Sequence, residues 1–595
     1  MATVTPSRTP SAVIGSAATL LGHGQLVGKL GAVPIVVFWD GERAWAIEDR
    51  CPHMGFPLHR GTVQDGLLTC HWHHARFDLA SGCTFDLWAD DAVAYDVEIR
   101  GDDVVVTARA SANGTDHLER RLVEGLEEGL TLVVAKAVIA LLARGVEPAR
   151  LVEIGLRFAA ANRADGWGPG LTVAQCVLNL APHLDDDELG RALTQGLAFL
   201  GRDTAGHQPR FPITPLSEGA EPDQLARWYR RFVENRSAQA AERVAATASR
   251  LDPDAAATFM FAACTDHVFL DEGHVVDYLN KACEAVDALG GDAAQVLLPT
   301  VVRPTATATR HEEVSEWREP VDLLPIMERA SAELLELVGP VGSGRSVGSV
   351  EGATRLGDDE LGAVGWALLD EDPVAVADSL VDAARRGATS EQLARAVAYA
   401  AALRLVRFHT QNDIGDWESV HHTFTSASAV HQAIARRPTP ELLRGVVHGA
   451  LRVHLDRFLN VPAARLPTGR PRRLAELEAS WSSLGGVDEA GEIVAGHLAG
   501  GGRADEVVAE LCRALFREDA GFHWYQSVDA AAAQVRAWPE GSDEAGLVLV
   551  GAARWLAAHT PTVRRTDQVV TISRRLLRGE AVHEPDDAPQ DAPAR

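Results

Sequence analysis

Cys51-Pro52-His53 and Cys70-His71-Trp72-His73 constrain this chain more than any other feature. Each short segment offers one thiolate and one imidazole, and sixteen residues separate the two. A metal centre held by two Cys and two His in this pattern needs two loops brought tip to tip by a small rigid scaffold. Seven cysteines in 595 residues form no disulfide framework. Beyond Cys51 and Cys70, the scattered Cys83, Cys176, Cys264, Cys283 and Cys512 read as small buried hydrophobes.

The flanks add detail. Gly55 and Pro57 follow the first pair, and His74-Ala75-Arg76-Phe77-Asp78 with Ser81-Gly82 follow the second. On these residues, positions 10–110 resemble the Rieske ferredoxin and the Rieske oxygenase electron-transfer domain. The resemblance implies a [2Fe-2S] cluster with Cys51 and Cys70 on one iron and His53 and His73 on the other. His74 competes with His73 as a ligand, and spacing favours His73. His74 stands where the family usually has Gly, and His71 where it usually has Pro. High-potential respiratory members add a disulfide between the cluster loops. No cysteine lies near Met54–Phe56 or His71–Ala75 to form one. The expectation is a one-electron relay near the bottom of the Rieske range, about -150 mV.

Around the loops the pattern is β. Pro34–Phe38 and Ala44–Ile47 flank the turn Asp40-Gly41, and Ala92–Ile99 and Val104–Ala108 flank Gly101-Asp102. Ser111–Thr115 reads as a linker. Helical character begins after His117, and Leu118–Arg144 reads as one long helix apolar on several faces. A loose Glu/Gln-Leu-x-Arg motif recurs at 188, 392, 441 and 510. Starts such as Thr439-Pro440-Glu441 supply an N-cap and a first-turn proline. Irregular spacing favours a large helical array over a strict solenoid. Gln208–Pro222 is proline-rich irregular chain, Gly339–Gly357 a Gly/Ser-rich connection, and Glu584–Arg595 a Pro/Asp/Ala-rich tail. The expected class is α+β multidomain, a small antiparallel β Rieske domain followed by a large all-α region. The expected divisions are 10–110, 117–338, 360–575 and a disordered 580–595.

The net charge of -27 argues against nucleic-acid binding. The absence of an apolar run near 18 residues, or of an N-terminal apolar segment, predicts a soluble cytoplasmic protein without membrane contact.

Ordinary Rieske oxygenases pass electrons to an iron held by two His and a carboxylate. The Asp-x-x-His-x(4,5)-His form of that site is missing. Asp271-Glu272-Gly273-His274 begins it without supplying the second His. Histidines nevertheless recur in the helical region. His267, His274 and Lys281 are seven apart and share a face on an unbroken helix, with Gly273 as a point of breakage. His454 lines up with Val447, Leu451 and Phe458, and His422 and His523 occupy two further segments. Any one of these reads as a core histidine; several converging would build a metal site.

His422-Thr423-Phe424-Thr425-Ser426-Ala427-Ser428-Ala429-Val430, the segment Glu441–Leu455 and Glu518-Asp519-Ala520-Gly521-Phe522-His523 are similar to the questin-oxidase-like family. That resemblance implies an all-helical oxygenase of aromatic polyketides using non-haem iron. It carries His274, His422 and His523 as ligands, with His267 and His454 behind them. Some members hold the iron with a carboxylated lysine. No lysine lies near His523; Lys281, one of only three in the chain with Lys29 and Lys136, is the candidate substitute as a carboxylated oxygen ligand, against the plainer reading of an ordinary snorkelling lysine.

The leading expectation is an oxidoreductase whose cluster relays electrons from an external reductase or ferredoxin to a mononuclear non-haem iron. Its substrate would be a small aromatic or polyketide-like molecule, and homo-oligomers are compatible with it. The alternative is a Rieske electron carrier or redox sensor whose helical domain docks a protein and holds no metal. A cofactor-free enzyme fused to the carrier is a third reading; no phosphate loop, Gly-x-Gly-x-x-Gly unit or nucleophile elbow supports it.

Overall fold

The computed structural model describes residues 10–109, 114–217, 220–338, 355–580 and 582. The chain divides into one unit of residues 1–146 with 566–595 and a second of 147–565. This differs from the expected divisions at 110–117 and 338–360. Two helices that follow the β region, and the last helix of the chain, belong to the first unit. Most of the predicted 339–357 connection, the linker core 111–113 and the tail 584–595 lie outside the described residues.

The first unit contains β1 (Ser11–Ser16), β2 (Gln25–Leu30), β3 (Val33–Trp39), β4 (Ala44–Glu48), β5 (Thr62–Gln64), β6 (Leu67–Thr69), β7 (Arg76–Asp78), β8 (Ala94–Arg100) and β9 (Asp103–Ala108). Six form an antiparallel sheet in the order β1-β9-β8-β4-β3-β2, and β5-β6-β7 form a small second sheet. The β3–β4 and β8–β9 hairpins stand where the alternating apolar pattern and the turn residues predict them. At Asp40 the side-chain Oδ1 accepts from the Glu42 and Arg43 amides, pinning the turn. Ile35, Val37, Ala46, Val104 and Val106 fill one side of the large sheet. Val36, Ile47, Leu58, Leu68, Phe77 and Leu79 bury the junction with the small one.

The predicted single helix over Leu118–Arg144 is two, Thr115–Glu127 and Thr131–Ala143. Gly129 between them has φ 66°, a left-handed conformation that closes the first helix at low cost.

The second unit is helical throughout its regular structure. His274–Leu289, Ile414–Arg436 and Phe522–Val535 are the helices that matter for the site. Thr439 caps the helix Pro440–Leu455 by accepting from the Leu442 amide, with Pro440 in its first turn. Among the described residues no helix is long and apolar enough to cross a membrane.

Candidate metal centres

One cluster loop runs from β4 of the large sheet to β5, the other joins β6 to β7 of the small sheet, and they are built alike. Cys51 accepts from the Gly55 amide at 2.7 Å and donates to Phe56 O at 2.7 Å. Cys70 accepts from the His74 amide at 3.0 Å and donates to Ala75 O at 2.9 Å. The residue four after each cysteine is left-handed, Gly55 at φ 82° and His74 at φ 63°. This repeat explains the departure at His74: a position that favours Gly carries a side chain here, turned to solvent. The expected ligand His73 stands beside His53, with ring centroids 4.8 Å apart.

The thiols of Cys51 and Cys70 are buried and adjacent. A hydrogen bond from Cys51 pulls the Cys70 thiol down to about 6, and the same contact pushes Cys51 up. Burial, helped by the charges of Lys136 and His73, lowers His53 to about 4. His53 Nδ1 is buried with no hydrogen-bond partner. Two buried thiols and an orphaned ring nitrogen fit a group that takes up Cys51, Cys70, His53 and His73 together. Trp88 packs against His53 at 4.7 Å, and Trp72 against His73 at 4.5 Å. His73 and Trp72 are exposed, so the imidazole edge is the one that faces solvent. His71 bonds to Thr62 on β5. None of the seven cysteines forms a disulfide.

In the helical unit, three of the five expected histidines come together. Ligand atoms of His274, His422 and His523 all lie within 4.8 Å of one another. His422 Nε2 and His523 Nε2 are 3.1 Å apart. Two nitrogens bound at right angles to one ion at about 2.1 Å would be about 3 Å apart. The outward nitrogens meet carboxylates: His422 Nδ1 lies 2.8 Å from Glu272 and His523 Nδ1 3.4 Å from Glu418. Such partners fix which nitrogen faces inward. The hydrogen bond from His422 holds Glu272 down at about 2. Burial lowers His274 strongly and His523 to about 4, with neighbouring imidazoles adding to both. Neutral imidazoles are the form that binds a metal.

His274 is aimed by an unusual backbone. Phe269, Asp271, Glu272 and Gly273 have φ of 44°, 42°, 56° and 87°, and His274 opens the helix His274–Leu289. The strain is held from outside. Asp271 N donates to Thr309 O at 3.0 Å, the Thr309 amide donates to Asp271 Oδ1 at 2.6 Å, and His311 N donates to Val268 O at 3.0 Å. A Cβ on Gly273 would sit 2.6 Å from Ser426 Cβ, which requires glycine there.

This break removes His267 from the face of His274. His267 instead pairs with Glu312 at 2.7 Å and Glu234 at 3.1 Å, and His454 is buried 3.4 Å from Asp370 O. Neither joins the triad. Lys281 shares the His274 helix face but lies seven residues on, about 10.5 Å along the axis. Buried at 3 % exposure, it pairs with Asp529 and, at 3.1 Å, with Glu284. An ammonium held by two carboxylates is neither a snorkelling lysine nor an oxygen donor to the triad. Sequence reasoning missed His421, wholly buried, with both ring nitrogens unpartnered and its centroid 5.1 Å from that of His523. Its only sequence signal is adjacency to His422.

The family model for the Rieske [2Fe-2S] domain matches residues 12–94. The chain is 29% identical over 86 residues to ferredoxin CarAc of Metapseudomonas resinovorans, covering 13% of this chain and 76% of that protein. It is 30% identical over 93 residues to mouse (Mus musculus) apoptosis-inducing factor 3, covering 16% of this chain and 15% of that protein. Over 33 residues it is 54% identical to the vanillate O-demethylase oxygenase subunit of Pseudomonas sp., covering 6% and 10%. A solved complex of reduced oxygenase and oxidized ferredoxin in carbazole 1,9a-dioxygenase aligns with 18% of this chain and 98% of its own, at 21% identity and TM-score 0.16. Residues 12–94 of this chain form a Rieske [2Fe-2S] domain, the seat of iron–sulfur electron transfer.

Proposed function

We propose that this protein is a Rieske-type oxygenase in which electrons received at Cys51, His53, Cys70 and His73 are delivered to a non-haem iron at His274, His422 and His523. The observation that carries the reading is the 3.1 Å approach of two Nε2 atoms whose opposite nitrogens face carboxylates. Three imidazoles suit iron, and they leave coordination positions open. An iron there would supply the dioxygen chemistry that no side chain can. The protein's own part is to keep His274 and His523 neutral by burial, hold the His422 and His523 ring planes through Glu272 and Glu418, and exclude water on the inner side.

The open edge lies toward those carboxylates. The side chains of Glu272 and Glu418 are 60% and 49% exposed, whereas the cavity lined by Gly273, Ser426 and His448 is about 30 Å³. That cavity suits one small molecule. A planar aromatic substrate would approach from the carboxylate side; Phe522 and Tyr278 flank His274 at 5.4 and 5.8 Å. An external reductase or ferredoxin would use the exposed His73–Trp72 edge. That same exposed edge favours a second reading, a carrier whose helical unit binds no metal.

The test is oxygen uptake by protein with a fully loaded cluster and a chemical reductant, over a panel of hydroxylated anthraquinones and related aromatics. Substrate-dependent uptake that disappears in His422→Ala supports the oxygenase. Uptake at background throughout, with the cluster reducible, supports the carrier.

A further inference from the structure

The Rieske match ends at residue 94, yet two basic side chains from the helices that follow reach back onto it, Lys136 to a cluster loop and Arg121 to the segment Leu87–Asp90. Lys136, on the helix Thr131–Ala143, donates to Pro52 O at 2.6 Å and to His53 O at 2.9 Å. It also pairs with Asp90 at 3.1 Å. Arg121, on the helix Thr115–Glu127, donates to Leu87 O and Ala89 O, both at 2.9 Å, and to Asp90 at 3.2 Å. Both side chains are nearly buried, 11% and 7% exposed. Leu87–Asp90 includes Trp88, whose ring packs on His53. The two helices therefore grip the backbone of His53 and the segment that seats its ring, with Asp90 shared between the two cations.

A buried lysine satisfied by two loop carbonyls, in a chain with only three lysines, is not ordinary surface charge. Burying an ammonium needs partners. Its partners are Asp90 and the carbonyls of Pro52 and His53, so the ammonium is held against the loop that carries His53. A fixed cation favours the reduced, more negative cluster, and hydrogen bonding and local charge are recognised levers on such potentials.

We infer that Lys136 and Arg121 form a clasp, outside the Rieske module itself, that positions His53 and sets the cluster's reduction potential through the Lys136 ammonium. Lys136 and Arg121 are positioning residues: they touch loop backbone and Asp90 rather than the reacting atoms. Asp90 opposes the Lys136 charge, so the account assigns the two residues opposite electrostatic signs. A purely mechanical brace would not do so.

The experiment uses the full chain with its cluster loaded, titrated against redox dyes and followed by visible circular dichroism and electron paramagnetic resonance. Lys136→Met should shift the one-electron reduction equilibrium about tenfold toward the oxidised form, which is 59 mV. Asp90→Asn should shift it the opposite way. Lys136→Arg, which keeps the charge, should restore the midpoint to near wild type. If Lys136→Met fails to hold its cluster, the sign of the Asp90→Asn shift decides. Unchanged midpoints in loaded Lys136→Met, or an Asp90→Asn midpoint that is unchanged or lowered, would overturn the inference.

Discussion

His422 and His523, 101 residues apart in sequence, face each other Nε2 to Nε2 at 3.1 Å while their Nδ1 atoms look outward to Glu272 and Glu418. Without an ion this contact is a hydrogen bond between the two rings; with one, the carboxylates would act as its outer shell. Glu272→Gln keeps the size and removes the charge that orients His422. The expected outcome is a loss of about 10–100-fold in metal affinity, read by chelator competition. An affinity equal to wild type would remove Glu272 from the site.

His74 and His73 separate cleanly by substitution. Because His74 is left-handed at φ 63° and exposed, His74→Gly should stabilise the first unit by about 1 kcal/mol and keep the Rieske spectrum. That gain corresponds to about 2–4 °C in its melting temperature. His73→Ala should lose the spectrum. Loss of the cluster in His74→Gly would reverse the ligand assignment.

Lys281 should matter for folding more than for chemistry. Lys281→Met leaves the buried Asp529, 3% exposed, and the part-buried Glu284 without their cation. Removing one partner of such a group costs about 3–5 kcal/mol. Urea unfolding of the helical signal should show that loss, and Lys281→Met/Asp529→Leu should recover part of it. A single variant as stable as wild type would contradict the pairing.

Acid should unfold the helical unit early. Burial holds His448 and His523 at about 4 when folded, against about 6.5 unfolded. Below 6.5 the unfolded chain takes up protons that the folded one refuses. The stability is therefore complete above 6.5 and lost as pH falls toward 4, by up to about 3 kcal/mol per histidine. Asp277 works the other way: raised by burial to about 6, it binds a proton on folding, so acid favours the folded form between about 6 and 3.8. Glu272, at about 2, gives stability that is lost below 4.5. The net expectation for metal-free protein is a fall in stability between pH 6.5 and 4, measured by denaturant titration at each pH. A flat profile would contradict neutral buried imidazoles.

The cluster was legible because its ligands lie within 23 residues on two loops whose spacing is the signal. The triad was half legible: His274, His422 and His523 could be named as candidates, but so could His267 and His454. What separated His267 is the run of left-handed residues ending at Gly273, which turns it away from His274, and what separated His454 is its place beside Asp370. A glycine in a sequence offers such a break without requiring it. The carboxylates Glu272 and Glu418, the buried His421 and the Lys136–Arg121 grip depend on tertiary contacts over tens to hundreds of residues, and no local pattern marks them. The predicted long helix over Leu118–Arg144 failed for a related reason, because Gly129 ends the first helix where the apolar pattern alone runs on.

The most direct test of the central claim is the iron and acid-labile sulfide content of purified wild type, His422→Ala and Cys70→Ala. The account predicts about three irons and about two sulfides per chain in wild type. His422→Ala should retain the sulfides and the Rieske spectrum with about two irons, and Cys70→Ala should retain about one iron and no sulfide. About two irons in both wild type and His422→Ala, with no further uptake on adding ferrous iron, would contradict a metal at the triad.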